Sequence, residues 1–450
     1  MRRLALAGHG AEALCCRPMP ARPNDQPART WVSWYTLFVL TIVYAVNIAD
    51  RFVISTFIEP IKRDLNLSDS GVAFLTGTGL AIFYLAAGIP FGYLADRLNR
   101  RNLIAWSLAA WTGMTALCGL TQTYYQLLFA RIGVGVGEAG GTAPSQSLLA
   151  DRFPVRLRSF ASTIYALGAA IGVAIGSTVG GWLNDEYGWR HALLLFGLIG
   201  LPVALLVRVT VREPERGAID QAPSTAAKPT LRETLTFIAR QKSAIHILAG
   251  ATVSTFWGWG IMWWLNAYLV RSYHVTVGEA GALLGPMNGY GGAAVILLTA
   301  WLVFVNGKRD PRRDTWLIGT AILVATVPGI WMFLTRSLAL TEWLLWIFIP
   351  LNFLYLGPTF GMLQNLVPAN MRGLIIAVLL FVANFANLVI APQLIGSASD
   401  LVAARIADPQ ESLRYVLLGT AFTGLWAAWH YFAAATHLRG DFARAGNPGA

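Results

Sequence analysis

The sequence has little charge. Of its 450 residues, 13% are Asp, Glu, Lys or Arg, while 55% are hydrophobic. A soluble domain carries roughly 25% charged residues. A chain this long has too few polar side chains to cover two or three water-exposed domains. Cysteine is also scarce. Cys15, Cys16 and Cys118 are too few for a disulfide framework. No His/Cys/carboxylate cluster has metal-ligand spacing, so no metal is expected. The P-loop and Gly-x-Ser-x-Gly patterns are missing, which excludes a P-loop ATP-driven pump and the hydrolases built on that nucleophile turn. Neither an enzyme nor a cofactor is expected, apart from a coupling ion. Gly133-Val-Gly135-Val-Gly137 comes near a dinucleotide fingerprint. No strand precedes it, so it reads as close helix packing.

Long apolar runs are what the chain does have. Those at 72–94, 103–120, 161–183 and 375–395 carry little or no charge. Each is long enough to cross a hydrocarbon core about 30 Å thick at about 1.5 Å per residue. Twelve spans are expected, at 33–60, 70–94, 102–121, 125–149, 159–183, 190–210, 244–270, 278–305, 315–335, 341–366, 372–398 and 412–435. The long polar connector at 211–242 divides them into two six-helix bundles, 31–210 and 243–436. Polar tails at 1–30 and 437–450 flank these, the first expected to be disordered. The net charge of +11 lies between the apolar runs rather than on them, which favours a membrane partner over nucleic acid. Alternate loops differ more than twofold in Lys and Arg. The richer side holds Arg97, Arg100, Arg101, Arg152, Lys308, Arg312 and the connector. The positive-inside rule places that side, and both tails, in the cytoplasm. A monomer in the plasma (inner) membrane is expected.

After the second span the chain reads Gly92-Tyr-Leu-Ala-Asp96-Arg97-Leu-Asn99-Arg100-Arg101. This resembles the loop motif of the major facilitator superfamily, with Asn99 in place of its second glycine. Asn tolerates left-handed backbone better than most residues, so the turn is expected to survive. Asn47-Ile-Ala-Asp50-Arg51 and Arg131-Ile-Gly-Val-Gly-Val-Gly-Glu138 look like the Spinster group within that superfamily. The resemblance implies an all-α polytopic membrane protein of the major facilitator fold, moving solute by alternating access, with lysolipid or sphingosine-phosphate export as the group's association. It also implies that Gly92, Asp96, Arg97, Arg100 and Asp151 form a conformational gate.

Asp50, Arg51, Arg131 and Glu138 fall inside the expected spans. At about 2.5–3.5 kcal/mol each at the bilayer centre, they have to face a cavity or one another. Arg131 and Glu138 are seven apart and share a helix face, about 10.5 Å apart along the axis. Residue counting then pairs Asp50 with Arg131 and Arg51 with Glu138. A static latch is one reading of the four. Proton coupling at Asp50 and Glu138, with Arg51, Arg131 and Asn47 holding an anionic head group, is the other. The second half has few such charges and many aromatics. Most tryptophans of the seventh span read as lipid-facing or packing residues. Phe256, Tyr290 and Asn384 are the expected substrate contacts there, suited to the tail of a small amphiphilic anion. Uptake or efflux of a small organic anion or drug-like compound is the alternative within transport. A transport-inactive sensor or scaffold would have no use for four buried charges. Gly168, Gly172, Gly176 and Gly180 form a Gly-x-x-x-Gly ridge on the fifth span, read as close helix packing.

Overall fold

A computed structural model describes residues 30–214, 230–306, 310, 312–368 and 371–444, and the described residues form helices without strands. The expected tail at 1–30 lies almost wholly outside them. An apolar segment in hydrocarbon has to satisfy its backbone hydrogen bonds internally, and a helix does so within one segment.

Helix α1 is Thr30–Thr56; a turn at Phe57 leads into a short helix, Ile58–Asp64. Helix α2 begins as Asp69–Ala73, passes a π-helical turn at Phe74–Thr78 and continues as Gly79–Arg97. Then come α3 (Arg100–Cys118) and α4 (Tyr124–Glu138, resumed at Thr142–Ala150). The stretch Val155–Thr210 is broken at Gly188, whose φ of 79° suits glycine, and its two limbs are α5 and α6. Helix α7 is Lys242–Tyr273. Helix α8 joins Val277–Pro286, a π-helical turn at Met287–Gly291 and Gly292–Asn306. Next are α9 (Arg312–Leu334) and α10 (Leu338–Leu351 with Leu356–Asn365). Helix α11 joins Arg372–Asn384, a third π-helical turn at Phe385–Ile390 and Ala391–Ala403. Helix α12 is Ser412–Ala421 with Thr423–Arg444. Among the described residues, seven helical stretches are long and apolar enough to cross a membrane on length and composition alone.

The starts follow local chemistry. Ser68, Asn99, Thr123, Thr276 and Ser337 each accept a backbone N–H three residues on, at the heads of α2, α3, α4, α8 and α10. Asn99 therefore works as an N-cap with extended backbone (φ −64°, ψ 114°), not in the left-handed turn its tolerance suggested. Two helical stretches extend into the segments expected as tail and connector. Helix α12 runs to Arg444, past the expected start of the tail at 437. Inside the connector, Leu231–Ala239 is a helix, started by a capping box between Thr230 and Glu233.

The glycine ridge of α5 lies on α1. A Cβ at Gly168, Gly172 or Gly176 would stand 2.7, 2.5 or 2.7 Å from the carbonyl oxygen of Thr41, Ala45 or Ala49. Only glycine lets the backbones approach so closely, and this fixes the depth of Asp50 and Arg51. The helix-four glycines serve likewise, Gly135 against the Leu80 carbonyl and Gly137 against the Trp111 backbone. Trp31, Trp106, Trp182, Trp316 and Trp343 are exposed on the outer surface, as side chains facing lipid are. In contrast, Trp257, Trp263 and Trp264 of α7 are buried, so the seventh-span tryptophans divide towards packing.

Candidate functional site

Contacts between α1–α6 and α7–α12 concentrate at one end of the molecule. There Arg271 of α7 reaches across to two acids. Its Nε donates to Glu59 Oε1 at 2.6 Å, and its Nη1 and Nη2 donate to the two oxygens of Asp69 at 2.8 and 2.6 Å. All three side chains are at most 7% exposed. Lys62 Nζ and Ser399 Oγ also donate to Asp69, at 2.5 and 2.6 Å. The Asp400 carboxylate at the end of α11 accepts the backbone N–H groups of Asp69 and Ser70, both at 2.8 Å. These are the first free donors of α2, a place that favours an anion. At the contact of α5 with α8, Asp185 accepts the Gly278 N–H at the head of α8, again at 2.8 Å.

The α2–α11 seam shows where the closure stops. A Cβ on Gly396 would stand 2.7 Å from the Asp69 carbonyl, and one on Gly77 would stand 3.0 Å from Pro392. Thr78 Oγ1 donates to the Val389 carbonyl at 3.0 Å. Further along α2, a Cβ on Gly88 or Gly92 would meet nothing within 4 Å, and the same holds for Gly373 on α11 and for Gly357 and Gly361 on α10. One end is shut, and among the described residues these glycines of α2, α10 and α11 at the other end have open space beside them.

The four sequence-flagged charges sit where the shut region ends. Arg51 Nε donates to Glu138 Oε2 at 2.7 Å, the pairing expected from residue counting. The Arg51 guanidinium also lies 4.5 Å from the centre of the Tyr84 ring, a cation–π contact. The other expected pair is absent. Asp50 Oδ2 instead accepts a hydrogen bond from Thr115 Oγ1 of α3 at 2.5 Å. Arg131 Nη2 donates to the Thr76 carbonyl at 3.2 Å. That carbonyl belongs to the π-helical turn of α2, where the regular ladder is displaced. Asp50 finds a hydroxyl and Arg131 a carbonyl nearer than either finds the other. Arg131 is 1% exposed, yet its Nε and Nη1 have no hydrogen-bond partner, and neither do Glu138 Oε1 and Asn47 Nδ2. An unmade hydrogen bond at a buried polar group costs about 1–3 kcal/mol. Arg131 therefore offers donors suited to an anion.

The second-half candidates are scattered. Tyr290 is 80% exposed, while Phe256 and Asn384 are half-buried. No hydrogen bond or ring contact among the described residues joins them to the central charges. Nearer the centre, Phe52 packs edge-on against Trp259 and Trp263, at centroid distances of 5.9 and 6.0 Å. At the open end, Arg100 donates to Asp151 at 2.5 Å, to Ser147 Oγ at 3.0 Å and to Glu213 at 2.7 Å. The Arg100–Asp151 contact was expected and the Glu213 contact was not. The described partners of Arg100 lie on α3, α4 and the chain just after α6. Arg97 lies over the Tyr93 ring. The Asp96 side chain lies outside the described residues.

The sequence reading missed the closed-end residues, although a repeat marks them. Gly181-Trp-Leu-Asn-Asp185 on α5 and Gly396-Ser-Ala-Ser-Asp400 on α11 share a Gly-x-x-x-Asp pattern. Each glycine meets the first turn of the helix that its aspartate caps. A Cβ on Gly181 would stand 2.7 Å from the Val277 carbonyl, as one on Gly396 would from that of Asp69.

Comparison with known proteins fits this layout. Residues 40–392 match the profile of the Major Facilitator Superfamily. The chain is 28% identical over 408 residues to an MFS-type efflux pump of Mycolicibacterium smegmatis, covering 90% of this chain and 94% of that protein. It is 26% identical over 427 residues to the sphingosine-1-phosphate transporter SPNS2 of Danio rerio, covering 90% and 84%. Among solved structures, a bacterial homolog of the human lysosomal transporter Spinster, in an inward-facing and unoccupied conformation, superposes with a TM-score of 0.80. That match has 27% identity and covers 92% of this chain and 98% of the other.

Proposed function

Since this chain belongs to the major facilitator superfamily, a family of membrane transporters that are not enzymes, we propose that it is a proton-coupled secondary transporter exporting an amphiphilic anion of the lysolipid or sphingosine-phosphate kind. The observation that carries this is the centre: a buried Arg51–Glu138 ion pair beside an arginine with unused donors, between two sets of helices shut at one end. In this reading the open end faces the cytoplasm, the shut end faces outward, both termini are cytoplasmic, and the protein works as a monomer in the plasma membrane. The bundles 31–210 and 243–436 rock about the centre.

Glu138 and an anionic head group compete for Arg51. Protonating Glu138 removes the carboxylate charge and leaves the guanidinium for the head group; losing the proton restores the pair. Proton and anion binding are thereby linked through one side chain. Arg131, whose hydrogen bond to Thr76 leaves Nε and Nη1 unused, holds the head group in either case. Asp50, held by Thr115, is the second proton site. The apolar tail lies against the aromatics of the second half.

The test is transport into proteoliposomes driven by an imposed pH gradient, in the native protein and in Asp50→Asn and Glu138→Gln. Loss of gradient-driven transport with retained substrate counterflow is expected for Glu138→Gln. Full gradient-driven transport in both variants would sink the coupling role. The 28% identity to an efflux pump favours a second reading, efflux of small drug-like compounds. Counterflow of lysolipid against small organic anions and drug-like compounds separates the two.

A further inference from the structure

One helical turn beyond Arg51 towards the shut end, a small pocket lies between the two sets of helices. Its polar lining comes from Ser55 and Thr56 of α1, Ser177 of α5, Asn266 of α7 and Asn288 of α8, with Phe52 among its apolar lining. The polar side chains are all at most 4% exposed. No charged residue lines it, and it has room for about one water-sized guest.

The hydrogen-bond inventory says what that guest is. Ser55 and Thr56 commit their hydroxyl protons to the Phe52 carbonyl, each at 2.9 Å, and so present lone pairs to the pocket. Asn288 Nδ2 donates to the Leu284 carbonyl at 2.8 Å, while its Oδ1 has no partner. Neither amide atom of Asn266 has a partner. The guest has to donate to amide oxygens and also accept from the Asn266 amide N–H. An ammonium group or a metal ion accepts nothing, and a carboxylate or phosphate oxygen donates nothing. A hydroxyl does both, donating to one amide oxygen, and its competitor for the pocket is a water, which can donate to two.

We propose that this pocket is a hydroxyl subsite, which takes a free hydroxyl of the substrate while its anionic group sits on Arg51 and Arg131. The inference rests on the amphiphilic-anion reading and narrows it to hydroxylated head groups. Ser55 lies four residues from Arg51, about one helical turn and about 6 Å along the axis, so the pocket is the next turn of α1 from the residue that holds the phosphate in this reading. Because the lining comes from α1 and α5 on one side and α7 and α8 on the other, a docked hydroxyl bridges the surfaces that separate when the shut end opens.

The test compares two probes of identical chain and phosphate: lysophosphatidic acid and its 2-deoxy analogue, which lacks only the hydroxyl. Binding to the purified full-length protein is measured by calorimetry. The native protein should prefer the hydroxylated probe about tenfold, roughly the effect of 1.4 kcal/mol. In Asn266→Leu the preference should vanish, with affinity for the deoxy probe within twofold of native. Ser55→Ala, a gentler change should the leucine variant fail to fold, should reduce the preference at least threefold. Equal binding of both probes by the native protein would mean that the pocket holds only water, and would overturn the inference while leaving the amphiphilic-anion reading intact. Persistence of the full preference in both variants would place the hydroxyl elsewhere. If the native protein bound neither probe, both ideas would fall.

Discussion

Two seams close the shut end, and they use the same parts with different weight. In each, a glycine lets one helix touch the first turn of another, and an aspartate four residues later accepts a backbone N–H from that turn: Gly396 and Asp400 of α11 on α2, Gly181 and Asp185 of α5 on α8. The difference lies in one residue of that first turn. On α2 it is Asp69, which draws in Arg271, Lys62 and Ser399. On α8 the corresponding position, set by the glycine contact, is Val277, and no ion pair forms around it among the described residues. A shared scaffold thus supplies the docking geometry, and one acid converts one of the two seams into a charged latch.

Removing the cation should therefore have the largest effect. Arg271→Gln leaves Glu59 and Asp69 buried without their shared guanidinium. Breaking a buried ion pair in this way costs about 3–5 kcal/mol, here charged to the shut conformation. Spin labels at Arg63 and Leu401, both exposed and on opposite sides of the α2–α11 seam, should move from one short distance to a population dominated by a longer one. An unchanged distance distribution would show that the latch is incidental to closure.

Next come the glycines, where the two seams should behave alike. Gly396→Ala and Gly181→Ala each put a Cβ 2.7 Å from a carbonyl oxygen. Overpacking of this kind costs about 1–3 kcal/mol. The two variants should open their own seams to the same extent, read with labels beside each. A clear inequality would show that the seams differ in packing as well as in charge.

How much of this the sequence disclosed depends on where a residue sits. Arg51 and Glu138 lie deep in apolar runs, where a charge has to find a partner, and register alone paired them correctly. The same reasoning failed for Asp50 and Arg131, because Thr115 and the Thr76 carbonyl are ordinary parts of helices and carry no sequence mark of their role. Glu59, Asp69 and Arg271 stand within two residues of expected span ends, where a charge meets water at little cost, so nothing singled them out. Their burial comes from two helix ends meeting. The π-helical turns in α2, α8 and α11 were equally illegible, since they answer to packing between helices rather than to local sequence. The Gly-x-x-x-Asp repeat was legible and passed over. Gly181 directly follows the glycine ridge of α5, and one aspartate after a span looks like a solvated end.

The smallest effects separate the two capping aspartates. Asp400→Asn keeps an oxygen for one N–H but loses the charge facing the head of α2. Interactions of a carboxylate with a helix N-terminus are worth about 0.3–1 kcal/mol when exposed and up to about 2 when partly buried. Asp400 is half-buried beside the latch and Asp185 is exposed, so the loss should be about 1 kcal/mol at the first and about 0.3 kcal/mol at the second. Salt sharpens the contrast. The Debye length falls from about 10 Å at 0.1 M to about 3 Å at 1 M, and screening acts on exposed charges far more than on buried ones. Raising salt over that range should erase the difference between native protein and Asp185→Asn in label distances across α5 and α8. The difference for Asp400→Asn across α2 and α11 should largely persist. Equal salt sensitivity at both seams would mean that Asp400 contributes as a solvated charge and that burial does not set the two capping aspartates apart.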